Sequence, residues 1–241
     1  RSLCASAPSD TDWCNALSRR KVNRAMNQNS TEGSLNRENT SLTALMDHIV
    51  ETHHAFCRRE LPRLDAMLKS AAEQHGKQHP ELRHIYALFS KMSRDLYMHL
   101  LKEEETLFPY ITQVEESVRQ NVPVGWPRFG TVENPIRLLV EDHDHTGNEL
   151  RAIRRLSNDI TPPSGSTGED AGVDFATLFD ALRAFEYDMQ EHIHAENDLL
   201  FPRAIALEEA ACGGGESLAP FPVRCIERAG GNRLPRDGRP G

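Results

Sequence analysis

The stretch His99-Leu-Leu-Lys-Glu103-Glu-Glu-Thr-Leu-Phe-Pro109 returns later in the same chain as His192-Ile-His-Ala-Glu196-Asn-Asp-Leu-Leu-Phe-Pro202. Both copies place a glutamate four residues after the histidine and a Phe-Pro pair nine and ten residues after it. Residues four apart share one face of a helix, so each copy points an imidazole and a carboxylate at the same place. One such pair arises by chance. The same pair with the same Phe-Pro behind it, twice, marks an internal repeat.

The apolar pattern around each copy predicts the helices that carry it. Leu82, Ile85, Phe89, Met92, Leu96, His99, Glu103, Thr106 and Tyr110 form one seam, opened by Pro80 at a position where proline is tolerated. Leu178, Leu182, Phe185, Met189, His192, Glu196 and Leu199 form its counterpart. Each is preceded by a helix with one inward histidine. The first runs Val50, His54, Cys57, Leu61, Leu64, Leu68, capped by Ser41 or Thr43, with a kink expected at Pro62 and an end near His75-Gly76. The other runs Ile136, Leu139, His143, Leu150, Ile153. Aligning His54 with His143 also aligns Glu60 with Glu149 and Leu61 with Leu150. The expectation is an all-α protein, an up-down four-helix bundle built from two helical hairpins. Loops are expected over 112–135, with Pro123, Gly125, Trp126, Pro127 and Gly130, and over 158–171. Residues 1–40 read as a flexible polar arm, 41–210 as the bundle, and 211–241 as a disordered tail rich in Gly, Pro and Arg.

Distances from the hairpin turns place the polar seam residues at one level. His54, His99, His143 and His192 each lie 18 to 20 residues from their own turn, roughly 27–30 Å along a helix. In antiparallel hairpins equal distance from the turn means equal height, so four imidazoles and two carboxylates meet in one layer. A lone histidine on an apolar seam is more often a satisfied core residue than a ligand. Six ionisable groups buried together are another matter, because each unpaired carboxylate costs several kcal/mol. A metal relieves the cost. The candidate ligands are His54, His99, Glu103, His143, His192 and Glu196. Six nitrogen and oxygen donors without a thiolate exceed a structural zinc site. Two ions sharing two bridging glutamates, each completed by two histidines, use all six and leave open positions for small ligands. That mixture suits iron or manganese. His75 stands about 31 Å from His54 along the same helix and is left out. His48, His53, His145 and His194 lie off the seams and are expected on the wet face, while Glu141 and Asp142 are expected near the layer.

Composition narrows the partners. A net charge of −8 over 241 residues argues against nucleic acid. No apolar run approaches the ~18 residues that would span a bilayer, and no secretory leader is visible. None of the five cysteines forms a Cys-x2-Cys pair, which argues against a disulfide framework and makes a reducing cytoplasm the default.

Residues 42–206 resemble the hemerythrin-type bundle of the repair-of-iron-centres family. The likeness rests on His48-Ile-Val-Glu-Thr-His-His54, Arg59-Glu-Leu-Pro-Arg-Leu64, His99-Leu-Leu-Lys-Glu-Glu104, Glu141-Asp-His143, Thr161-Pro-Pro163 and His192-Ile-His-Ala-Glu-Asn197. The resemblance implies a cytoplasmic protein of the nitrosative and oxidative stress response with an oxo- and carboxylate-bridged pair of iron ions. It implies nitric oxide or O2 as the small ligand and damaged iron–sulfur proteins as partners. On the family's metal motif, His54, His99, Glu103, His143, His192 and Glu196 match as ligands. Family members often begin with a small domain bearing a Cys-Cys pair, and residues 1–40 contain none, which turns the expectation toward nitric oxide binding. O2-binding or O2-sensing hemerythrins, the alternative, usually carry His-x3-His on the third helix and His-x4-Asp on the fourth. Here those positions read His143-x-His145 and Asn197. Ferroxidase-like bundles use Glu-x2-His and more carboxylates.

Overall fold

A computed structural model describes residues 40–125, 127–163 and 174–213. Among them the regular structure is helical and forms four rods. Helix α1 comprises Leu42–Ile49, a widened π turn at Val50–His54, and Ala55–His75. Helix α2 comprises Glu81–Lys102, a π turn at Glu103–Leu107, and Phe108–Gln120. Helix α3 is Glu133–Leu156. Helix α4 comprises Phe175–His194, a π turn at Ala195–Leu200, and Phe201–Gly213. This is the four-helix bundle that the duplicated seams predict.

The helix ends follow local chemistry. Ser41 caps α1, its Oγ accepting from the Ala44 N–H at 3.1 Å. The Glu115 carboxylate, reaching over from α2, accepts from the Leu42 and Thr43 N–H groups at 2.6 and 2.9 Å. Helix α1 continues through Pro62 to His75. It stops at Gly76, where a Cβ would come within 2.2 Å of the Ala72 carbonyl oxygen. Asp174 caps α4, accepting from the Thr177 N–H.

The loop expected over 112–135 is much shorter, because α2 runs on to Gln120. Tyr110, Ile111 and Val114 keep a buried face there, packed against the start of α1 and the end of α4. Asn121, at φ 55°, then ends α2 in the left-handed conformation that asparagine tolerates. Of the second expected loop, Asn158, Asp159 and Ile160 have positive φ, and residues 164–171 lie outside the described residues. So do the expected arm and tail, except Thr40 and Ala211–Gly213, which still belong to α4.

The π turns correct the seams. Regular periodicity puts Thr106 and Leu199 inward, yet Thr106 is exposed and Leu199 half-buried, while Leu107 and Leu200 are buried. The Phe108 N–H reaches back five residues to the Glu103 carbonyl, and the Phe201 N–H to that of Glu196. The extra residue in each turn rotates everything behind it by one position. Pro109 and Pro202, lacking an N–H, follow where the ladder has already slipped.

Two apolar clusters fill the bundle. One spans Cys57 to Ala72, Leu82 to Leu100, Leu150 to Ile160 and Phe175 to Met189. The other joins Leu42 to Ile49, Leu107 to Val124, Val132 to Leu139 and Ala195 to Ala211. In every rod the polar seam residues fall between the two. No described helix is long and apolar enough to cross a membrane. Cys57 is a free buried thiol, whereas Cys212 is disulfide-bonded, which the cysteine spacing did not suggest.

Candidate metal centre

The structure brings His54, His99, Glu103, His143, His192 and Glu196 together, each no more than 3% exposed. Their donor atoms fall into two groups, His54–Glu103–His192–Glu196 and His99–Glu103–His143–Glu196, each with all its donors within 4.8 Å of one another. The two glutamates belong to both. Glu103 Oε2 lies 3.4 Å from His54 Nε2 and its Oε1 lies 3.3 Å from His99 Nε2. Glu196 Oε1 lies 2.9 Å from His192 Nε2 and 3.6 Å from His54 Nε2, while its Oε2 lies 3.1 Å from His143 Nε2. Each carboxylate thus presents one oxygen to each imidazole pair.

These atoms converge on two points, and among them only His192 with Glu196 and His99 with His143 meet in hydrogen-bond geometry. Both Glu103 oxygens, Glu196 Oε2 and His54 Nε2 are buried without a hydrogen-bond partner. His99 Nε2 and His143 Nε2 face each other at 3.0 Å. Donors held about 2.0–2.2 Å from one ion at tetrahedral or octahedral angles stand about 3.0–3.5 Å apart, and the separations here match that spacing. Nitrogen and oxygen donors of this kind, unsatisfied and converging, fit a divalent transition metal.

The far side of the rings explains the inward aim. His54 Nδ1 donates to Glu104 Oε1 at 2.6 Å, and Arg58 clamps that carboxylate from both oxygens. His143 Nδ1 donates to Asn197 Oδ1 at 2.9 Å. His99 Nδ1 lies 3.4 Å from Asp142 Oδ2, which also accepts from Lys102 at 2.7 Å. Each of these bonds fixes the tautomer and turns Nε2 to the interior. His192 Nδ1 is buried without a partner, and its ring is held by face-to-face stacking with His53 at 5.4 Å.

Charge balance in the metal-free protein falls on the same residues. Burial alone would lower the His54 and His99 pKa values, but the Glu103 and Glu196 carboxylates outweigh it for His54 and push it up to about 10. Against the same burial, Glu103, Asp142 and Glu196 raise His99 to about 10. Burial and Glu196 push Glu103 up, yet the neighbouring imidazoles win and hold its carboxyl below the ordinary range. Burial dominates at His192, which is lowered.

The seams do not identify every participant. His53, expected on the wet face, is buried, because the π turn over Val50–His54 lets two consecutive histidines face inward; its Nδ1 pairs with Asp188 Oδ1 at 2.9 Å. His145 is exposed as expected, and Asp142 does reach the layer. Glu104 and Asn197 were missed, although each directly follows its repeat's central glutamate, and that correspondence was a readable signal. His75 ends α1 against the Phe175 ring and belongs to neither group.

Similarity agrees with this geometry. The chain is 31% identical over 164 residues to an iron-sulfur cluster repair protein YtfE of Yersinia pseudotuberculosis, covering 68% of this chain and 66% of that protein. It is 30% identical over 165 residues to a probable iron-sulfur cluster repair protein of Haemophilus influenzae, with the same coverage. This chain therefore spans about 66% of the length of these relatives. Residues 45–204 match the hemerythrin HHE cation binding domain, and the stretch from α1 to α4 that carries both donor groups lies within the match. By that match and by its buried histidine–glutamate layer, the chain belongs to the hemerythrin HHE cation-binding family.

Proposed function

We propose that the chain holds two iron ions between its helices and supplies iron for the repair of damaged iron–sulfur clusters, with nitric oxide as its small ligand, in the cytoplasmic response to nitrosative and oxidative stress. The observation that carries this reading is the sharing of Glu103 and Glu196 between two imidazole pairs. His54 and His192 would hold one ion and His99 and His143 the other, with Glu103 and Glu196 offering an oxygen to each. When bound, the ions supply open positions for a diatomic ligand and iron that can be passed on.

The rest is done by the chain itself. Glu104, Asn197 and Asp142 keep three Nε2 atoms inward. The apolar clusters on either side exclude water. The two carboxylates keep His54 and His99 protonated in the metal-free state, so a cation must displace those protons to enter. The relatives' names support the repair role, and Asn197, standing where the His-x4-Asp pattern of O2-binding hemerythrins has its aspartate, favours it over O2 carriage.

The test is anaerobic loading with ferrous iron, elemental analysis, and incubation with an iron–sulfur enzyme damaged by nitric oxide. Two irons per chain and recovery of the damaged enzyme's activity are expected. One metal or none, or loading without recovery, overturns the reading.

A further inference from the structure

The two hairpins repeat each other, and the side chains behind their histidines break the repeat. Glu104 follows Glu103, and Asn197 follows Glu196. Each backs the Nδ1 of the first histidine in its own hairpin, Glu104 that of His54 and Asn197 that of His143. One partner is a carboxylate at 2.6 Å, itself locked by Arg58; the other is a neutral amide at 2.9 Å. A carboxylate behind an imidazole makes the ring a stronger donor than an amide does. The residues preceding the same two histidines differ as well. His53 precedes His54 and covers the His192 ring, while Asp142 precedes His143 and stands behind His99 at 3.4 Å, engaged by Lys102.

We infer that the two metal positions are chemically unequal, and that the His99–His143 position gives up its iron first while the His54–His192 position retains it. The inference rests on the two-iron reading above. Three observations set the direction. The backing hydrogen bonds at His99 and His143 are long or neutral, whereas His54 has the shortest and most charged. The pair behind His99 is the more exposed, Asp142 34% and Lys102 53%, against 24% for Glu104 and 38% for Arg58 behind His54. Phe108 stacks on His54 and Phe201 on His143 alike, but only the His54–His192 pair has a further ring over it, His53 stacked on the fully buried His192. The unpartnered Nδ1 of His192 weakens one donor on the retained side, but that ring stays clamped through His53, which Asp188 holds in turn.

Chelator challenge of the fully loaded full-length chain reads this directly. Iron should leave in two phases of one ion each, and Mössbauer spectra taken after the first phase should retain one of two signals. Asn197→Asp should slow the fast phase about tenfold and leave the slow phase alone. Glu104→Gln should speed the slow phase by a similar factor and leave the fast phase alone. Asp142→Asn, a second variant on the labile side, should speed the fast phase only, and His143→Ala should hold one iron and lack the fast phase. Two irons released in a single phase, or Glu104→Gln acting on the fast phase, overturns the inference and leaves the two-iron reading standing. Uptake of fewer than two irons by the unmodified chain overturns both.

Discussion

Glu103 and Glu196 are the residues on which the layer turns, because each faces both imidazole pairs. Replacing either with alanine should drop the metal content from two ions per chain to about none, whereas His143→Ala should lose one and His75→Ala neither; elemental analysis after anaerobic loading distinguishes these outcomes. The same residues set a pH dependence for the metal-free protein. His54 and His99 are raised from 6.5 to about 10, so their contribution to stability is complete below about pH 6.5 and lost as pH rises through 10. Glu103 and Glu196 are lowered below 4.5, so theirs is present above that value and lost on acidification. His192, lowered by burial, is neutral in the fold and opposes stability as pH falls below 6.5. Denaturant melts of the metal-free chain should therefore be most favourable near pH 6.5 and weaken both toward pH 10 and on acidification. Metal affinity should run the other way, rising with pH as bound protons are displaced, and uptake in weak buffer should release protons. The six converging side chains were legible from spacing alone, since fourfold steps and distance from a turn survive translation into a helix. Their backing partners were not, because a side chain that reaches across from a neighbouring rod leaves no period in its own sequence.

At the scale of the helix, the duplicated motif encodes more than a shared face. Three of the four rods widen into a π turn within the layer, and in α2 and α4 the widening begins at or next to the glutamate of the repeat. A regular 3.6-residue period cannot anticipate this, which is why Thr106 and Leu199 were placed inward instead of Leu107 and Leu200. The Phe-Pro pair is the visible trace of the slip, since each follows directly on a π turn. Inserting one alanine after Glu105, where the π turn already holds the one extra residue it accommodates, should rotate the residues behind it by about 100°. Leu107 and Phe108 would then leave the core that holds the start of α1 and the end of α4. We expect a melting temperature lower by roughly 10 °C or more, consistent with a loss of several kcal/mol in a domain of this size, and no stable metal loading. Inserting an alanine in the loop after Gln120 is the control, and it should do far less.

For the molecule as a whole, the internal repeat explains both how much could be read and how the site is held. Two hairpins with matching seams close on each other, so fold class followed from periodicity, while the length of α2 did not, because Tyr110 to Val114 pack against elements distant in sequence. The layer between the two apolar clusters concentrates buried ionisable groups at the centre of the bundle, where their desolvation is offset only by one another and several donor atoms stay unpartnered until a cation enters. Metal binding should therefore stabilise the bundle as a single unit, by about 2.7 kcal/mol at a free metal concentration one hundred times the dissociation constant. All six donors and every backing partner lie between residues 53 and 197. A chain trimmed to residues 40–213, compared with the full chain under reducing conditions so that the Cys212 bond is open in both, should keep one cooperative transition. It should bind two metals and show the same metal-dependent rise in melting temperature. A smaller rise in the trimmed chain would mean that segments beyond the four rods hold part of the site. An equal rise would locate the whole metal linkage in the paired hairpins.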